Sequence, residues 1–390
     1  MHTTPRRALL AALYLLPAVT SYDVVREYSG NSFFDRWDFY GSYDNLTLGD
    51  VWWLDQPNAT QQGLAYVDGN GRAVMRVDNT TNVPWNYKRN SIRITSQDFY
   101  DVGSLWVIDL THIPYGCSVW PAFWTKGPLW PNDGEIDIIE AINLEDHNQY
   151  ALHTTGGCVR PEGTVQTGAL GPTDCSLGSG CVVSETKPNS YSSGFTQMGG
   201  GVYATQFDVA GIFIWFWSRA DVPQSLLQAN STSSIDISQW GIPSASYPAS
   251  GCNITNYFTS QQLVFDITLC GDWAGVPSIY QAACNASGPT GICYNDNVVG
   301  NGSNYDEAYF EVNYLRAYTT TAAPAATPSA SQGVSVPVIS ATGSLAGPTG
   351  INTSPNGAGT KGGNGAVTLG SSVVAAGLVA AASFVLVLLL

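Results

Sequence analysis

Three carboxylates, Glu135, Asp137 and Glu140, stand in one short run and are separated only by isoleucines. In a regular strand, alternate residues project to opposite faces, so Glu135 and Asp137 share a face while Glu140 falls on the other, apolar face. An unpaired carboxylate in an apolar core is costly. A β-bulge near Ile138 or Ile139 returns Glu140 to the acidic face, and we predict one there.

Crowding three carboxylates on one face raises at least one pKa, so that one acid stays protonated while another is ionised. Glycoside hydrolysis requires this division, and a retaining enzyme places its nucleophile and its acid/base about 5–5.5 Å apart. A solvated acidic edge and a calcium site are the alternatives. The interleaved isoleucines disfavour a solvated edge, and calcium loops favour Gly and Asn spacing. The run therefore predicts catalytic carboxylates, with no metal among them and no required cofactor. The sequence does not indicate a structural calcium ion elsewhere but leaves that question open.

Short alternating or apolar runs surround these carboxylates, separated by Gly, Asn, Asp and Pro clusters, and none shows long helical periodicity. This pattern predicts an all-β sandwich or barrel with long surface loops, one of them at Cys158–Cys181. The candidate strands are Ala73–Val77, Ser91–Thr95, Gly103–Ile108, Glu135–Ile139, Gln206–Val209, Ile212–Trp217, Leu263–Leu269 and Tyr309–Tyr318.

Both ends of the sequence differ from its centre. Residues 1–21 combine two arginines with a short apolar run and then small residues, which predicts a secretory signal peptide. Residues 319–365 are rich in Thr, Ser, Pro, Gly and Ala and predict a disordered stalk. Residues 366–390 end in an apolar run with nothing polar after it, which favours a GPI-attachment signal over a retained single-pass helix. We therefore expect a secreted protein held at the cell surface by a lipid anchor.

The central segment 22–318 is expected to carry the function. It contains all 12 Trp, all 8 Cys and all 30 acidic residues but only 12 of the 15 basic ones, a formal charge of −18. Such a surface repels polyphosphate, which excludes nucleic acid as the expected partner. Eight cysteines in a secreted domain predict disulfides, but they can pair in 105 ways. Glycosylation sequons fit the same route and begin at Asn45, Asn58, Asn79, Asn230, Asn253, Asn285, Asn301 and Asn352.

The carboxylate run resembles the signature of glycoside hydrolase family 16, in its laminarinase-like branch with the bulged E-x-D-x-x-E form. The resemblance covers essentially all of 22–318, and its other motifs are Ser32-Phe-Phe-Asp35, Ser118-Val-Trp120-Pro-Ala-Phe-Trp124, Trp130-Pro131, His153-Thr-Thr and Leu269-Cys-Gly-Asp-Trp273-Ala-Gly. The chain looks like fungal endo-1,3(4)-β-glucanases, several of which are GPI-anchored.

The resemblance implies a β-jelly-roll sandwich of two antiparallel sheets with a concave substrate cleft. Glu135 matches the family's nucleophile and Glu140 its acid/base. Asp137 matches the residue that orients the nucleophile, and His153 matches a histidine beside the acid/base.

Tryptophans are the other candidate ligands for a sugar, because their faces stack on C–H surfaces and their N–H groups bond hydroxyls. Trp215 and Trp217, in an apolar run, are expected to include at least one core residue. The substrate-binding candidates are Trp124, Trp130, Trp120 and Trp273, together with His153. Asn86, Lys88 and Arg89, which follow Trp85, are candidates for the cleft rim.

The expected activity is retaining endo-hydrolysis of β-1,3 or mixed β-1,3/1,4 glucan by a monomer. A cell-wall glucan transglycosylase with the same site is the first alternative, and a non-catalytic glucan-binding protein is the second. Linkage preference is left open by the sequence.

Overall fold

The computed structural model describes residues 21–284 and 288–320. The predicted signal peptide up to residue 20, the stalk beyond residue 320, the anchor signal and the sequons at Asn285 and Asn352 lie outside these ranges. Within them, no helix has the length and apolar character needed to cross a bilayer.

The described chain is built mainly of strands. They are β1 (Ser21–Ser29), β2 (Trp37–Phe39), β3 (Ser42–Tyr43), β4 (Val51–Trp53), β5 (Ala65–Val67), β6 (Ala73–Arg76), β7 (Arg89–Ser91), β8 (Arg93–Ser96), β9 (Ser104–His112), β10 (Val119–Lys126), β11 (Glu135–Glu140), β12 (Gln149–His153), β13 (Ala169–Leu170), β14 (Cys181–Ser184), β15 (Gly201–Asp208), β16 (Gly211–Ser218), β17 (Ile235–Asp236), β18 (Ala245–Pro248), β19 (Gln262–Leu269) and β20 (Tyr309–Thr319).

Two large antiparallel sheets contain most of these strands. The eight-stranded sheet has the order β13-β14-β12-β11-β10-β19-β8-β2. The nine-stranded sheet has the order β17-β1-β20-β9-β15-β16-β18, with β6 paired to β20 and β5 to β6. A small third sheet, β3-β4-β7, includes the parallel pair β4–β7. The prediction of an all-β sandwich is confirmed, and each candidate strand overlaps an observed one.

The main core lies between the two large sheets. Phe123 of β10 and Phe265 of β19 pack there with ring centroids 4.5 Å apart, and Phe310 of β20 meets Phe265 at 5.3 Å from the other sheet. A smaller apolar cluster covers the opposite face of the nine-stranded sheet and contains Trp215 and Trp217. Both tryptophans are buried, as expected for at least one, because β16 sends alternate residues into the two clusters.

Short helices cap and connect the strands. They are α1 (Gln56–Gln61), α2 (Ser192–Gln197), α3 (Gln224–Leu227), α4 (Ile254–Tyr257), α5 (Gly271–Ala274) and α6 (Pro277–Cys284), with 3₁₀ turns at Gly30–Arg36, Arg219–Asp221 and Ser303–Tyr305 and a π-helix at Tyr294–Val298.

All eight cysteines form disulfides, as predicted, and the structure supplies the pairing. Two bridges attach the helical segment after β19 to the sheet: Cys117–Cys284 and Cys270–Cys293. The other two, Cys158–Cys252 and Cys175–Cys181, fasten the long loop between β12 and β14.

The rim prediction is wrong for Arg89. Its side chain is fully buried, and its guanidinium donates to five backbone carbonyls, those of Asp78, Thr81, Val298, Gly300 and Asn301. Because peptide carbonyls satisfy this cation, it acts as a structural tie between loops.

Candidate active site

Strand β10 forms the centre of the site. Its residues Trp120, Ala122, Trp124 and Lys126 project away from the core, while Phe123 between them projects into it. This alternation follows from the strand period and leaves one face of the eight-stranded sheet to line a cleft.

Strand β11 places its carboxylates beside these residues. Glu135 lies opposite Lys126, Asp137 opposite Trp124 and Glu140 opposite Ala122. All three carboxylates therefore lie on the cleft face, and all three line the same cavity of about 440 Å³.

The predicted bulge is present in β11. Against β10, Phe123 pairs with Ile139 and Trp124 with Asp137, so Ile138 has no counterpart. Against β12, two residues of β11 oppose Tyr150 alone. The extra residue restores Glu140 to the face of Glu135, while Ile138 and Ile139 both remain buried in the core.

A sharp turn delivers the chain into β11 and carries Trp130. Gly127 N–H donates to Gly134 C=O, and Asp133 N–H donates to Leu129 C=O, which closes the loop. Gly134 has φ +79°, and a Cβ there would lie 2.2 Å from the ring of Phe258. The residue before Glu135 therefore has to be glycine, on both conformational and steric grounds.

Three side chains surround Glu135. The charge of Asp137 raises the pKa of Glu135, and a hydrogen bond from Trp130 opposes that rise. His153 Nε2 lies 4.0 Å from Glu135 Oε1 and 3.4 Å from Asp137 Oδ2. His153, which was predicted to lie beside Glu140, thus lies nearer to Glu135 and Asp137.

Glu140 has its own partners. Trp120 Nε1 donates to Oε1 at 3.0 Å, and Gln149 Nε2 donates to Oε2 at 3.4 Å. Neither bond engages Glu135 or Asp137, so the acid at the far end of the run is held independently.

Burial raises the pKa of all three carboxyl groups. For Glu135 the negative charge of Asp137 adds to this effect, and for Asp137 the charge of Glu140 does. The hydrogen bond from Trp120 opposes the rise in the pKa of Glu140. The three groups therefore do not all ionise together, and the site retains protons that water-exposed carboxyl groups lose.

Glu135, Asp137 and His153 also form the one group of potential metal ligands among residues 21–284 and 288–320. One ligand atom from each lies within 4.8 Å of the others. The raised pKa values of the two carboxyl groups suit proton transfer, and the absence of a metal requirement stays a prediction.

The predicted aromatic residues occupy distinct positions. Trp120, Trp124 and Trp130 line the cavity, and Trp130 is the most exposed at 60%. Trp273 is half-buried, packs edge-on against Trp120 with ring centroids 5.3 Å apart, and is not among the described residues that line the cavity. Asn86 and Lys88 are not among the described residues that line this cavity, and Lys88 Nζ instead donates to the carbonyl of Gly49.

An ion pair on the cleft floor was missed from the sequence. Arg93 donates to Asp266 at 2.6 Å, and its guanidinium lies about 5 Å from the ring of Trp124. Burial raises the pKa of Asp266 to about 6 even though Arg93 opposes that rise. The signal available was Asp266 itself, a lone carboxylate between the apolar residues Phe265 and Ile267.

The other residues that line the cavity were also not predicted from the sequence. Lys126 lines the cavity, and its pKa is lowered by burial and by the charge of Arg93. The opposite wall comes from Tyr40, Leu46 and Thr47, in a loop organised by the buried carboxylate of Asp44.

Comparison with known proteins identifies the family of this chain. Residues 37–318 match a family model described as XgeA-like, catalytic GH16 domain. The chain belongs to glycoside hydrolase family 16. Among curated members, a probable glycosidase of Schizosaccharomyces pombe is 38% identical over 305 residues, which cover 76% of this chain and 69% of that protein.

A probable endo-1,3(4)-β-glucanase of Aspergillus niger is also 38% identical, over 333 residues. The match covers 83% of this family 16 chain but only 43% of the relative, so the chain spans less than half of that protein's length.

Two solved family 16 structures share the fold. Laminarinase 16A from Phanerochaete chrysosporium, solved with 6-O-glucosyl-laminaritriose in donor and acceptor sites, has a TM-score of 0.72, 33% identity, and covers 77% of this chain and 100% of its own. An elongating β-1,3-glucosyltransferase has a TM-score of 0.69 and 37% identity, covering 76% and 100%. The expected jelly-roll fold is confirmed.

Proposed function

We propose that this family 16 enzyme hydrolyses β-1,3 or mixed β-1,3/1,4 glucan within the chain and with retention of configuration. The observation that carries the proposal is the bulged β11, which brings two glutamates with separate hydrogen-bond partners to one aromatic-lined cleft. Support for the substrate class comes from relatives described as endo-1,3(4)-β-glucanases and from the laminarinase solved with a β-glucan.

The mechanism divides the work between Glu135 and Glu140. Glu135 attacks the anomeric carbon while Glu140 protonates the departing glycosidic oxygen, which yields a covalent glycosyl-enzyme. Glu140 then removes a proton from water, and that water attacks the anomeric carbon on the face from which the leaving group departed. The attack displaces Glu135, which is bound on the opposite face. Trp130, Trp124 and Trp120 are proposed to stack on the sugar rings or bond their hydroxyls.

The raised pKa of Glu140 supports its role as the acid, because a carboxyl group that keeps its proton above the usual pH range has one to give to the leaving oxygen. The nucleophile has to be ionised, so the proposal requires Glu135 to lose its proton while Glu140 keeps one.

The test replaces Glu135 with Gln and measures the release of reducing ends from laminarin. We expect turnover to fall to background while the melting temperature and glucan binding persist. Glu145→Gln is the matched control, because it makes the same chemical change at an exposed glutamate that does not line the cavity. Laminarin hydrolysis at the normal rate by Glu135→Gln would exclude the assignment.

A glucan transferase is the second candidate, and the observation that favours it is the 37% identity to an elongating β-1,3-glucosyltransferase. A transferase passes the same glycosyl intermediate to a sugar hydroxyl instead of water. Incubation with laminari-oligosaccharides separates the two: products longer than the substrate indicate transfer, and shorter products alone indicate hydrolysis.

We propose that the enzyme works as a secreted monomer at the cell surface, attached through a GPI anchor. The compositions of residues 1–21 and 366–390 and the predicted stalk support this proposal. Release of the native protein from intact cells by a phosphatidylinositol-specific phospholipase is the expected result, and retention after treatment would contradict the lipid anchor.

A further inference from the structure

The bulge in β11 interrupts the backbone pairing with β12 between Asp137 and Glu140. Backbone groups at such an interruption need other partners when they are buried. One side chain, that of Asn148, supplies two of them. Its Oδ1 accepts from Glu140 N–H at 2.9 Å, and its Nδ2 donates to Ile138 C=O at 2.9 Å.

Asn148 is itself rigidly held. It is fully buried and directly precedes β12. Its backbone N–H donates to Ser190 Oγ at 3.0 Å, and its C=O accepts from Glu185 N–H at 2.8 Å. All polar groups of Asn148 thus have protein partners. Its side chain is therefore held in one position, from which it bonds the backbone of the bulge.

We propose that Asn148 is a positioning residue that fixes the bulge of β11 and thereby aims Glu140 into the cleft. The inference rests on the proposed acid/base role of Glu140. A bulge and a regular strand differ by one residue of register, and that difference moves a side chain to the other face of the sheet. An amide is suited to this task because it accepts from one backbone group and donates to another, which a carboxylate does not.

The test compares Asn148→Ala with Asn297→Ala. Asn297 is a buried amide outside the cleft, and its Nδ2 donates to Tyr280 Oη at 2.8 Å and to Cys293 C=O at 3.1 Å. Both variants lose a buried amide, so both are expected to lower the melting temperature. Only Asn148→Ala should change how the rate depends on the leaving group.

Two substrates measure that dependence. An unsubstituted laminari-oligosaccharide needs its leaving oxygen protonated, whereas a 2,4-dinitrophenyl β-laminaribioside does not. With Asn148→Ala we expect kcat on the oligosaccharide to fall roughly 100-fold, a typical value for losing general acid catalysis. We expect a loss at least tenfold smaller on the dinitrophenyl substrate when azide, which needs no general base, replaces water in the second step.

Equal losses on both substrates, or behaviour matching Asn297→Ala, would overturn the proposal. Ser190→Ala, which removes only the acceptor for Asn148 N–H, is a milder second variant for the case that Asn148→Ala does not fold. Ser190→Ala should show the same selective loss on the oligosaccharide, but only a few-fold. If it shows no selective loss, that result would also count against the positioning role of Asn148. Glu140→Ala is assayed on the same two substrates. If it loses as much activity on the dinitrophenyl substrate as on the oligosaccharide, the acid/base assignment of Glu140 fails rather than the role of Asn148.

Discussion

We expect the hydrogen bond from Trp120 to Glu140 to set the upper pH limit of activity. Glu140 has to be protonated to act as an acid, and the Trp120 N–H stabilises its ionised form. Trp120→Phe keeps an aromatic surface but removes the donor. The pKa of Glu140 therefore rises, the protonated acid persists to higher pH, and the basic limb of the kcat/KM profile moves upward.

The structure sets the size of this effect. The bond is 3.0 Å long, and the other Glu140 oxygen keeps only the 3.4 Å contact from Gln149. A hydrogen bond to a charged group contributes about 1.5–3 kcal/mol, and about 1.4 kcal/mol corresponds to one pH unit. Because water replaces part of the lost bond in this accessible cleft, we expect a displacement of about one pH unit.

The assay is the pH dependence of kcat/KM on laminarin from the free enzyme, measured for Trp120→Phe and for Trp273→Phe. Trp273 packs edge-on against Trp120, and its replacement leaves the Trp120 donor in place. The control should therefore keep the basic limb of the parent enzyme. A basic limb that stays in place or moves to lower pH in Trp120→Phe would show that this hydrogen bond does not set the pKa of the acid.

Three further predictions concern the other charged groups of the cleft. Asp266→Ala leaves Arg93 without its buried partner, so the free energy of unfolding should fall by about 3–5 kcal/mol in urea titrations; a loss below about 1 kcal/mol would show that the pair is dispensable. Asp137→Asn should inactivate the enzyme yet stabilise it at pH 7. A carboxyl group with a raised pKa loses its contribution to stability as pH rises through that pKa, whereas an amide does not ionise. The gain in melting temperature should therefore vanish at low pH, and a gain that is independent of pH would be inconsistent with this origin. Laminarin hydrolysis should be unchanged after dialysis against EDTA, and a loss restored by added divalent cation would instead assign a metal to Glu135, Asp137 and His153.

Local patterns were sufficient to predict much of the fold and the carboxylates. The alternation and apolar runs located strands such as β9, β16 and β19, since their periodicity depends only on neighbouring residues. The spacing of Glu135 and Glu140 predicted the bulge because only one extra residue reconciles two acids five positions apart with one face. Trp120, Trp124 and Trp130 were found through their proximity to this strand.

Contacts between distant parts of the chain were not predictable. Arg93 and Asp266 meet only because β8 pairs with β19, and the disulfide pairing depends on the same long-range topology. Asn148 stands in a polar segment typical of a turn, so nothing local distinguishes it from a solvated residue. Arg89 was misplaced because a charged residue is expected at the surface unless the carbonyls that satisfy it are known.

Trapping the covalent intermediate identifies the nucleophile of the enzyme. A 2-deoxy-2-fluoro laminaribiosyl donor with a good leaving group forms the glycosyl-enzyme faster than that intermediate turns over, and peptide mass spectrometry locates the modified residue. We expect a single modification, at Glu135. Modification at Glu140 or Asp137, or hydrolysis of the donor by an active enzyme with inversion and no trapped intermediate, would contradict it.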